Sequence, residues 1–357
     1  MRPVAVVGAG LAGSLLCLAL ARRGRRSILI APAAAIAPPG GQGDPGAATA
    51  LSYGGMAGPA AARAWRQLER SHGPLGWSRS RLLLHGWPAP GNRLPVALQG
   101  LATAWLPCSR VDAVMLAARL PEALAAAGVV RLETRVEAIH AAGGGWCVAL
   151  AAGGALEADQ LVLAAGSGCR SLLPDLPQRL RFSWAGVIVV AADALTSAEA
   201  RLGWLRHARA GGIVQPLRWQ RPELEARAAA LSQETWIVDA GLAPWGEALL
   251  LGQITLVAPH GDPGQPPDPQ RMERLLREGL HRLDPALAAL PGSYRQVAVP
   301  FCSDGRPLVG PLPQHPGLWA FSGFSGAFST VPALAEDLAE SLTTTLAGDP
   351  DPSLAGG

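Results

Sequence analysis

The sequence predicts an α/β protein in which a parallel, doubly wound sheet is joined to a second, mainly antiparallel one. Three observations carry this expectation. The apolar run Val4 to Val7 leads into a glycine loop and then an apolar helix. A second apolar run, Leu161 to Ala165, ends in Gly166-Ser167-Gly168. From about Phe182 to Val257, strand-like segments follow one another without regular helices between them. Short, wholly apolar runs bounded by glycine are how strands buried on both faces of a parallel sheet read in sequence.

The N-terminal unit is the most specific. Gly8-Ala9-Gly10-Leu11-Ala12-Gly13 fits the pattern GxGxxG, placed between a strand and a helix over Ser14 to Arg23. Gly24 stops that helix, and Ser27 to Ile30 begins a second strand. In this context the pattern reads as a Rossmann-type βαβ unit from Val4 to Ala31. Gly8 permits the tight turn, Gly10 lets backbone amides approach a pyrophosphate, and Gly13 lets helix and strand pack closely. The positive end of the helix then faces the phosphates. One part of the pattern is missing: where an acidic residue usually ends the second strand to hold a ribose, this chain has Ala31. A lost charged hydrogen bond of that kind is worth roughly 1.5–3 kcal/mol, which weakens such a site without abolishing it. Asp44, in the loop that follows, is one alternative source of a carboxylate. Arg25 and Arg26 suit the helix C-terminus by charge, or alternatively a 2′-phosphate.

Further along, Pro32 to Gly46 is a loop rich in proline and glycine, and Ala60 to Arg70 is helical. Val111 to Ala127 reads as a helix with Asp112 near its start and Gly128 as its stop. Val129 to Ile139 and Trp146 to Leu150 read as strands joined through Gly143-Gly144-Gly145. In the antiparallel region the strands are Trp184 to Val190, Glu234 to Asp239 and Ala248 to Leu256. His260 to Pro269 is a linker, and Asp268-Pro269 caps a helix running to Leu283. Leu318 to Phe321 is a strand, Gly323 to Phe328 a loop, and Pro332 to Thr345 a helix. The chain shows no internal repeat, and residues 348–357 read as a disordered tail.

Composition excludes several chemistries. The 30 basic residues are all arginines, so neither a pyridoxal Schiff base nor a lysine-bearing P-loop can form. The five cysteines (Cys17, Cys108, Cys147, Cys169 and Cys302) contain no CxxC pair, which argues against a zinc site or disulfide framework. They read as buried thiols in a reducing compartment. His72, His85, His207 and His260 show no metal-ligand spacing. The longest apolar runs, such as Leu15 to Ala21, are too short to span a bilayer, and that run reads as a mature helix rather than a leader; the expected location is cytoplasmic. A net charge of +3, spread along the chain, neither demands nor excludes nucleic acid.

Three further segments choose the nucleotide. Arg135-Val136-Glu137-Ala138-Ile139 with its glycine hairpin, and Ala158-Asp159-Gln160-Leu161-Val162-Leu163-Ala164-Ala165-Gly166-Ser167, are two of them. The most telling runs from Asp304-Gly305-Arg306-Pro307-Leu308-Val309-Gly310 through Gly317-Leu318-Trp319-Ala320-Phe321-Ser322-Gly323-Phe324-Ser325-Gly326 to Pro332. Together with the N-terminal loop, these resemble the D-amino-acid-oxidase-like flavoproteins, which include glycine and sarcosine oxidases. The resemblance implies non-covalent FAD held by Gly8, Ala9, Gly10, Leu11, Ala12, Gly13, Ala31, Ser52, Val136, Gly166 and Ser167. It places the backbone of Gly323, Phe324, Ser325, Gly326, Ala327 and Phe328 along the flavin's pyrimidine edge. It also implies a discontinuous FAD-binding domain (residues 1–60, 105–180 and 296–347) and a substrate domain (61–104 and 181–295) whose antiparallel sheet covers the flavin.

The activity implied is oxidation of a C–N bond in a small amine or amino acid, by hydride transfer to flavin, with oxygen or a quinone-like acceptor taking the electrons. With one dinucleotide fingerprint in the chain, reduction by NADPH is disfavoured. An aromatic-hydroxylase reading is disfavoured too, since the C-terminal part lacks a Gly-Asp-Ala-type flavin segment. Two departures qualify the resemblance. Val299 stands where the family's amino-acid oxidases carry the arginine that holds a substrate carboxylate. The loop from Gly323 to Pro332 is shorter than in glycine and sarcosine oxidases, and is closer to the flavin domain of the enzymes that finish methylaminomethyl-uridine in tRNA. Flavin chemistry on a modified uridine, and a flavin-binding protein without activity, are therefore the alternatives. Tyr53, in Ser52-Tyr53-Gly54-Gly55, is a candidate to meet the substrate or else a packed turn residue. Arg218 and Arg206 are candidate anion binders or else solvated side chains.

Overall fold

The computed structural model describes residues 2–32, 51–56, 58–85, 105–195, 203–217, 220–259, 261 and 264–344. Asp44, Arg218, His260 and the 348–357 tail lie outside them. The N-terminal half forms β1 (Val4–Val7), α1 (Leu11–Arg22), β2 (Ser27–Ala31), β3 (Gly55–Met56), α2 (Pro59–His72), β4 (Trp77–His85), β5 (Trp105–Val111) and α3 (Ala113–Ala126). Then come β6 (Val130–Glu133), β7 (Val136–Ala142), β8 (Gly145–Leu150), β9 (Ala155–Ala158), β10 (Leu161–Leu163) and α4 (Cys169–Leu172). The middle holds β11 (Leu180–Val190), α5 (Ala192–Leu195), α6 (Gly203–Arg209), β12 (Ile213–Pro216), α7 (Arg221–Arg227), β13 (Thr235–Trp245) and β14 (Ala248–Val257). The last elements are α8 (Pro269–Leu283), α9 (Pro285–Ala288), β15 (Ser293–Cys302), β16 (Leu308–Pro311), β17 (Leu318–Ser322) and α10 (Ala327–Thr344).

Every residue of β1 is buried because both faces of its sheet are covered. Val4 and Val6 pack with Leu15 and Leu16 of α1 and with Leu338 of α10. Ala5 and Val7 face the other way, toward Trp146 and Val148 of a small sheet, β7-β8-β9. The strand order is β16-β17-β10-β1-β2-β6, parallel throughout except for β16. The chain thus leaves β1 for β2 on one side, while β10 closes the other, and this makes the C-terminal end of β1 a topological switch point.

The second sheet has eight strands in the order β15-β11-β14-β13-β12-β4-β5-β3, antiparallel except where β12 meets β4. Alternation sorts its side chains. On the outer face Ile188 and Val190 pack with Met272, Leu276 and Leu280 of the amphipathic α8. On the inner face Val187, Val189, Val297 and Val299 gather with Leu51 and Tyr53 from the other half of the molecule.

Several expectations need correction. Val111 ends β5, where it pairs with Trp77, and the helix begins only after Asp112, whose carboxylate caps Val114 N (3.0 Å) and Met115 N (3.1 Å). The run Val129 to Ile139 is two strands in different sheets, broken where Thr134 N turns back to Leu132 O. The antiparallel region does contain helices, though α5, α6 and α7 are short. The last helix starts at Ala327, so Ala327 and Phe328 belong to it and Pro332 lies inside it. No helix among the described residues is long and apolar enough to cross a membrane.

Candidate active site

The glycine loop lies at the switch point. Gly8 holds φ +108°, a conformation closed to L side chains, and a Cβ there would sit 2.4 Å from Ala164 O. A Cβ on Gly13 would sit 1.9 Å from Gly8 O, so the close packing of helix on loop tolerates no side chain. Gly10 is the N-cap of α1 and supplies no side-chain cap. The first-turn amides of Leu11, Ala12 and Gly13 therefore have no acceptor within the helix. That cradle fits a dinucleotide pyrophosphate. Beside it, Ala164 N donates to Val7 O (2.8 Å), and Gly166 and Ser167 form a 3₁₀ turn directly after β10. Val136 opens β7 and is buried, and Ala31 ends β2 in register with Glu133 of β6.

The Gly323 to Phe328 segment is tied down from three directions. Gly323 has φ +79°, and a Cβ there would lie 2.5 Å from Cys302 Sγ at the end of β15. Ser325 Oγ donates to Glu225 Oε2 at 2.6 Å, which joins the segment to α7. Arg221 Nε donates to the other oxygen of Glu225 at 2.7 Å, so this buried carboxylate is paired. Phe324 stacks edge-on against Phe321, with 5.0 Å between ring centres. Trp65 Nε1 donates to Phe328 O at 2.7 Å.

Around α7 the electrostatics are tightly arranged. Asp239 of β13 accepts from Gln220 N (2.8 Å) and Arg221 N (3.1 Å), and so caps the helix from a neighbouring strand. Burial pushes its carboxyl up to about 6, against the opposing pull of those two hydrogen bonds. Leu224 and Ala228 pack on Val257 and Phe301, and Arg181 Nη1 donates to Ala228 O (3.0 Å) and Pro259 O (3.1 Å).

Tyr53 lies at the join between the two halves: its hydroxyl donates to Gly252 O at 2.6 Å. Burial first, and the nearby Asp239 second, push its phenol well above the usual range, so it is an un-ionised donor. Ser52 Oγ accepts from Gly54 N at 3.2 Å. Arg206 lies in the last turn of α6. Two of the histidines serve the backbone: His85 Nε2 lies 2.6 Å from Ala240 O, and His207 Nε2 lies 3.2 Å from Arg81 O. Burial lowers the pKa of His72, His85 and His207. No group of three or more metal-ligating side chains occurs among the described residues. The five cysteines are free thiols, and burial raises Cys17 to about 12 and Cys169 to about 11. A shallow groove along α8, lined by Gln270, Glu273 and Arg277, lies on the outer side of the sheet and takes no part in this arrangement.

Sequence reasoning missed Glu225, Asp239 and Trp65. Arg221 and Glu225 have the i,i+4 spacing of a solvated surface pair, and only the fold reveals that they are buried against Ser325.

Among known proteins, the FAD-dependent oxidoreductase family DAO matches residues 91–341. No curated protein matches the chain. Solved structures with the same fold include glycine oxidase from Bacillus cereus, 14% identical with a TM-score of 0.65, covering 97% of this chain and 96% of that one. Iminodiacetate oxidase from Chelativorans sp. is 18% identical with a TM-score of 0.60, over 98% of this chain and 96% of that one. The fructosyl amine:oxygen oxidoreductase Amadoriase I from Aspergillus fumigatus is 18% identical with a TM-score of 0.61, over 96% and 87%. With a glycine cradle suited to a dinucleotide and a family match over most of its length, this chain belongs to the DAO family of FAD-dependent oxidoreductases.

Proposed function

We propose that this enzyme oxidises the C–N bond of a small amine or amino acid, passing a hydride equivalent from the carbon beside nitrogen to the flavin. The observation that carries the reading is the contact between the two halves: α7, which packs on Val257 and Phe301 of the eight-stranded sheet, meets the Gly323–Phe328 segment through Glu225 and Ser325. FAD supplies the two-electron chemistry when bound. The protein's share is to orient the reacting C–H bond and to keep water away. Val187, Val297 and Val299 give the sheet a dry face for that purpose. In this reading Gly8 to Gly13, Ala31, Ser52, Val136, Gly166 and Ser167 hold the cofactor, and amides of residues 323–328 stabilise charge on its pyrimidine edge. Tyr53 positions the flavin-side segment rather than the substrate, because its hydroxyl is engaged by Gly252 O. In this reading residues 1–60, 105–180 and 296–347 form the cofactor half and 61–104 and 181–295 the substrate half, with β3, β5 and β15 of the first joining the eight-stranded sheet and α2 of the second packing with α1 and α10. Oxygen or a quinone-like acceptor takes the electrons, and the buried free thiols suit a reducing, cytoplasmic setting.

The same wall favours substrates with no carboxylate on the reacting carbon. Val299 is apolar, Arg221 is paired with Glu225, Arg181 is engaged by two carbonyls, and Arg295, further along the inner face, also has a partner. An unpaired carboxylate buried there costs several kcal/mol.

Anaerobic mixing of the yellow holoenzyme with matched pairs tests both statements: benzylamine against phenylglycine, and N-methylbenzylamine against N-methylphenylglycine, with glycine and sarcosine alongside. Loss of flavin absorbance with the amines is the expected result. Bleaching by the amino acids alone overturns the narrower statement. Flavin that stays oxidised with every compound, yet is reduced by dithionite, overturns the C–N reading itself.

A further inference from the structure

A dinucleotide-binding βαβ unit ordinarily carries a carboxylate close to the end of its second strand, where it takes the hydroxyls of the adenosine ribose. Here that strand ends in Ala31, a buried methyl group. The adjacent strand offers a replacement. β6 runs parallel to β2 with Ala31 opposite Glu133, so the two strands finish at the same level, about 4.8 Å apart.

The face on which Glu133 stands follows from the register. Leu29 lies opposite Arg131 and packs with α1, and Ala31 joins the same cluster. Side chains two residues apart share a face, so Arg131 and Glu133 are presented on the α1 side, where the glycine loop opens. A glutamate's two methylenes carry its carboxylate across about one interstrand spacing, into the space that an acidic residue at position 31 would fill. The methyl group of Ala31 itself offers nothing that could accept a hydroxyl.

The state of Glu133 suits the role. Its side chain is 57% exposed at the end of the strand, and Arg131 Nη2 holds Oε1 at 2.9 Å. That contact orients the carboxylate, while its remaining lone pairs can accept from vicinal hydroxyls. We propose that Glu133 is the ribose-binding carboxylate of this enzyme, moved one strand outward from its usual place, with the 2′,3′-diol of adenosine as its ligand. The proposal rests on the FAD site and is independent of which substrate is oxidised.

The test uses the full-length chain after flavin removal, with FAD binding followed by quenching of flavin fluorescence and with ADP and 2′-deoxy-ADP as displacing probes. Glu133→Gln is expected to weaken FAD roughly ten-fold or more. ADP is expected to displace FAD better than 2′-deoxy-ADP in the wild type, and the two are expected to become equivalent in the variant. Adding Ala31→Glu to Glu133→Gln is expected to restore both the affinity and the discrimination. Unchanged FAD affinity in Glu133→Gln overturns the proposal. So does an equal loss for ADP and 2′-deoxy-ADP, which would mark a merely structural effect. A wild-type chain that takes up neither FAD nor ADP is a different outcome, one that would refute the nucleotide site as a whole.

Discussion

Proline inside a helix leaves the carbonyl four residues earlier without its N–H donor. In α10 that proline is Pro332, and the carbonyl is that of Phe328, a residue 3% exposed. The indole of Trp65, fully buried on α2, supplies the missing donor: Nε1 reaches Phe328 O at 2.7 Å. Trp65→Phe keeps an aromatic ring in the site but leaves the carbonyl buried and unsatisfied, at a cost of about 1–3 kcal/mol, besides the lost contacts of the larger ring. Pro332→Ala restores an amide at the position where Phe328 O can accept it. In the double variant the carbonyl regains a partner, so the cost of Trp65→Phe should shrink by about 1 kcal/mol relative to its cost beside Pro332. Urea unfolding of the four proteins, read as a double-mutant cycle, measures this coupling. Additivity within about 0.3–0.5 kcal/mol would refute the account, because it would mean that the indole stabilises by packing alone. The same cycle run on FAD affinity reports whether the bond also sets the start of α10, where the segment proposed to line the flavin ends.

Gly13→Ala would put a methyl 1.9 Å from Gly8 O; the expected outcome is a loss of about 1–3 kcal/mol in stability and at least a ten-fold weaker FAD dissociation constant, whereas Gly24→Ala, with open space around it, should leave FAD binding unchanged. Asp239, raised from 3.8 to about 6, is protonated in the folded protein at pH values where the unfolded chain has already released its proton. Stability should therefore fall as pH rises from about 4 to 6, by up to about 3 kcal/mol. Asp239→Asn should flatten that slope, and denaturation series at pH 4, 5, 6 and 7 would show an unchanged slope if the reasoning were wrong. Cys17 and Cys169, whose thiols burial holds at about 12 and about 11, should resist a thiol reagent at pH 8 in the native enzyme and react only on unfolding, as mass spectrometry would show.

What could be read from the sequence was whatever local chemistry forces. Gly8 and Gly13 announce themselves because no other residue fits a left-handed turn or a helix packed so close that a Cβ would sit 1.9 Å from Gly8 O. The N-cap Asp268 was legible because its carboxylate caps its own helix, at Gln270 N and Arg271 N. Partners supplied from far along the chain were not legible. Pro332 suggested a first helical turn, and only Trp65, 267 positions earlier, explains how a helix runs through it. β15 escaped notice because Tyr294-Arg295-Gln296 interrupts its apolar run: Tyr294 and Gln296 bond each other on the side facing the linker, and Gln296 also reaches Pro267 O. β4 is mostly half-exposed, so its pattern carries little periodicity. Val111 has the residue type of a helix face or of a strand, and the decision falls to Asp112 and to its pairing with Trp77.

The departures from the family pattern point the same way as the contacts. Val299 takes an arginine's place on the inner face, and Ala31 takes an acid's place in the nucleotide unit, yet in neither case is the charge simply absent from the neighbourhood. Two residues along β15 from Val299, α7 packs on Phe301, and there the arginine, Arg221, is already spent in a pair with Glu225. Beside Ala31, in our proposal, the sign is kept, and Glu133, one interstrand spacing away, supplies the carboxylate. Carrying a charge to an adjacent strand preserves recognition of a ligand, because the ligand meets the same functional group. Neutralising it changes which ligand is admitted. The two substitutions are therefore expected to have different consequences: the first alters the substrate, while the second leaves the cofactor as it was.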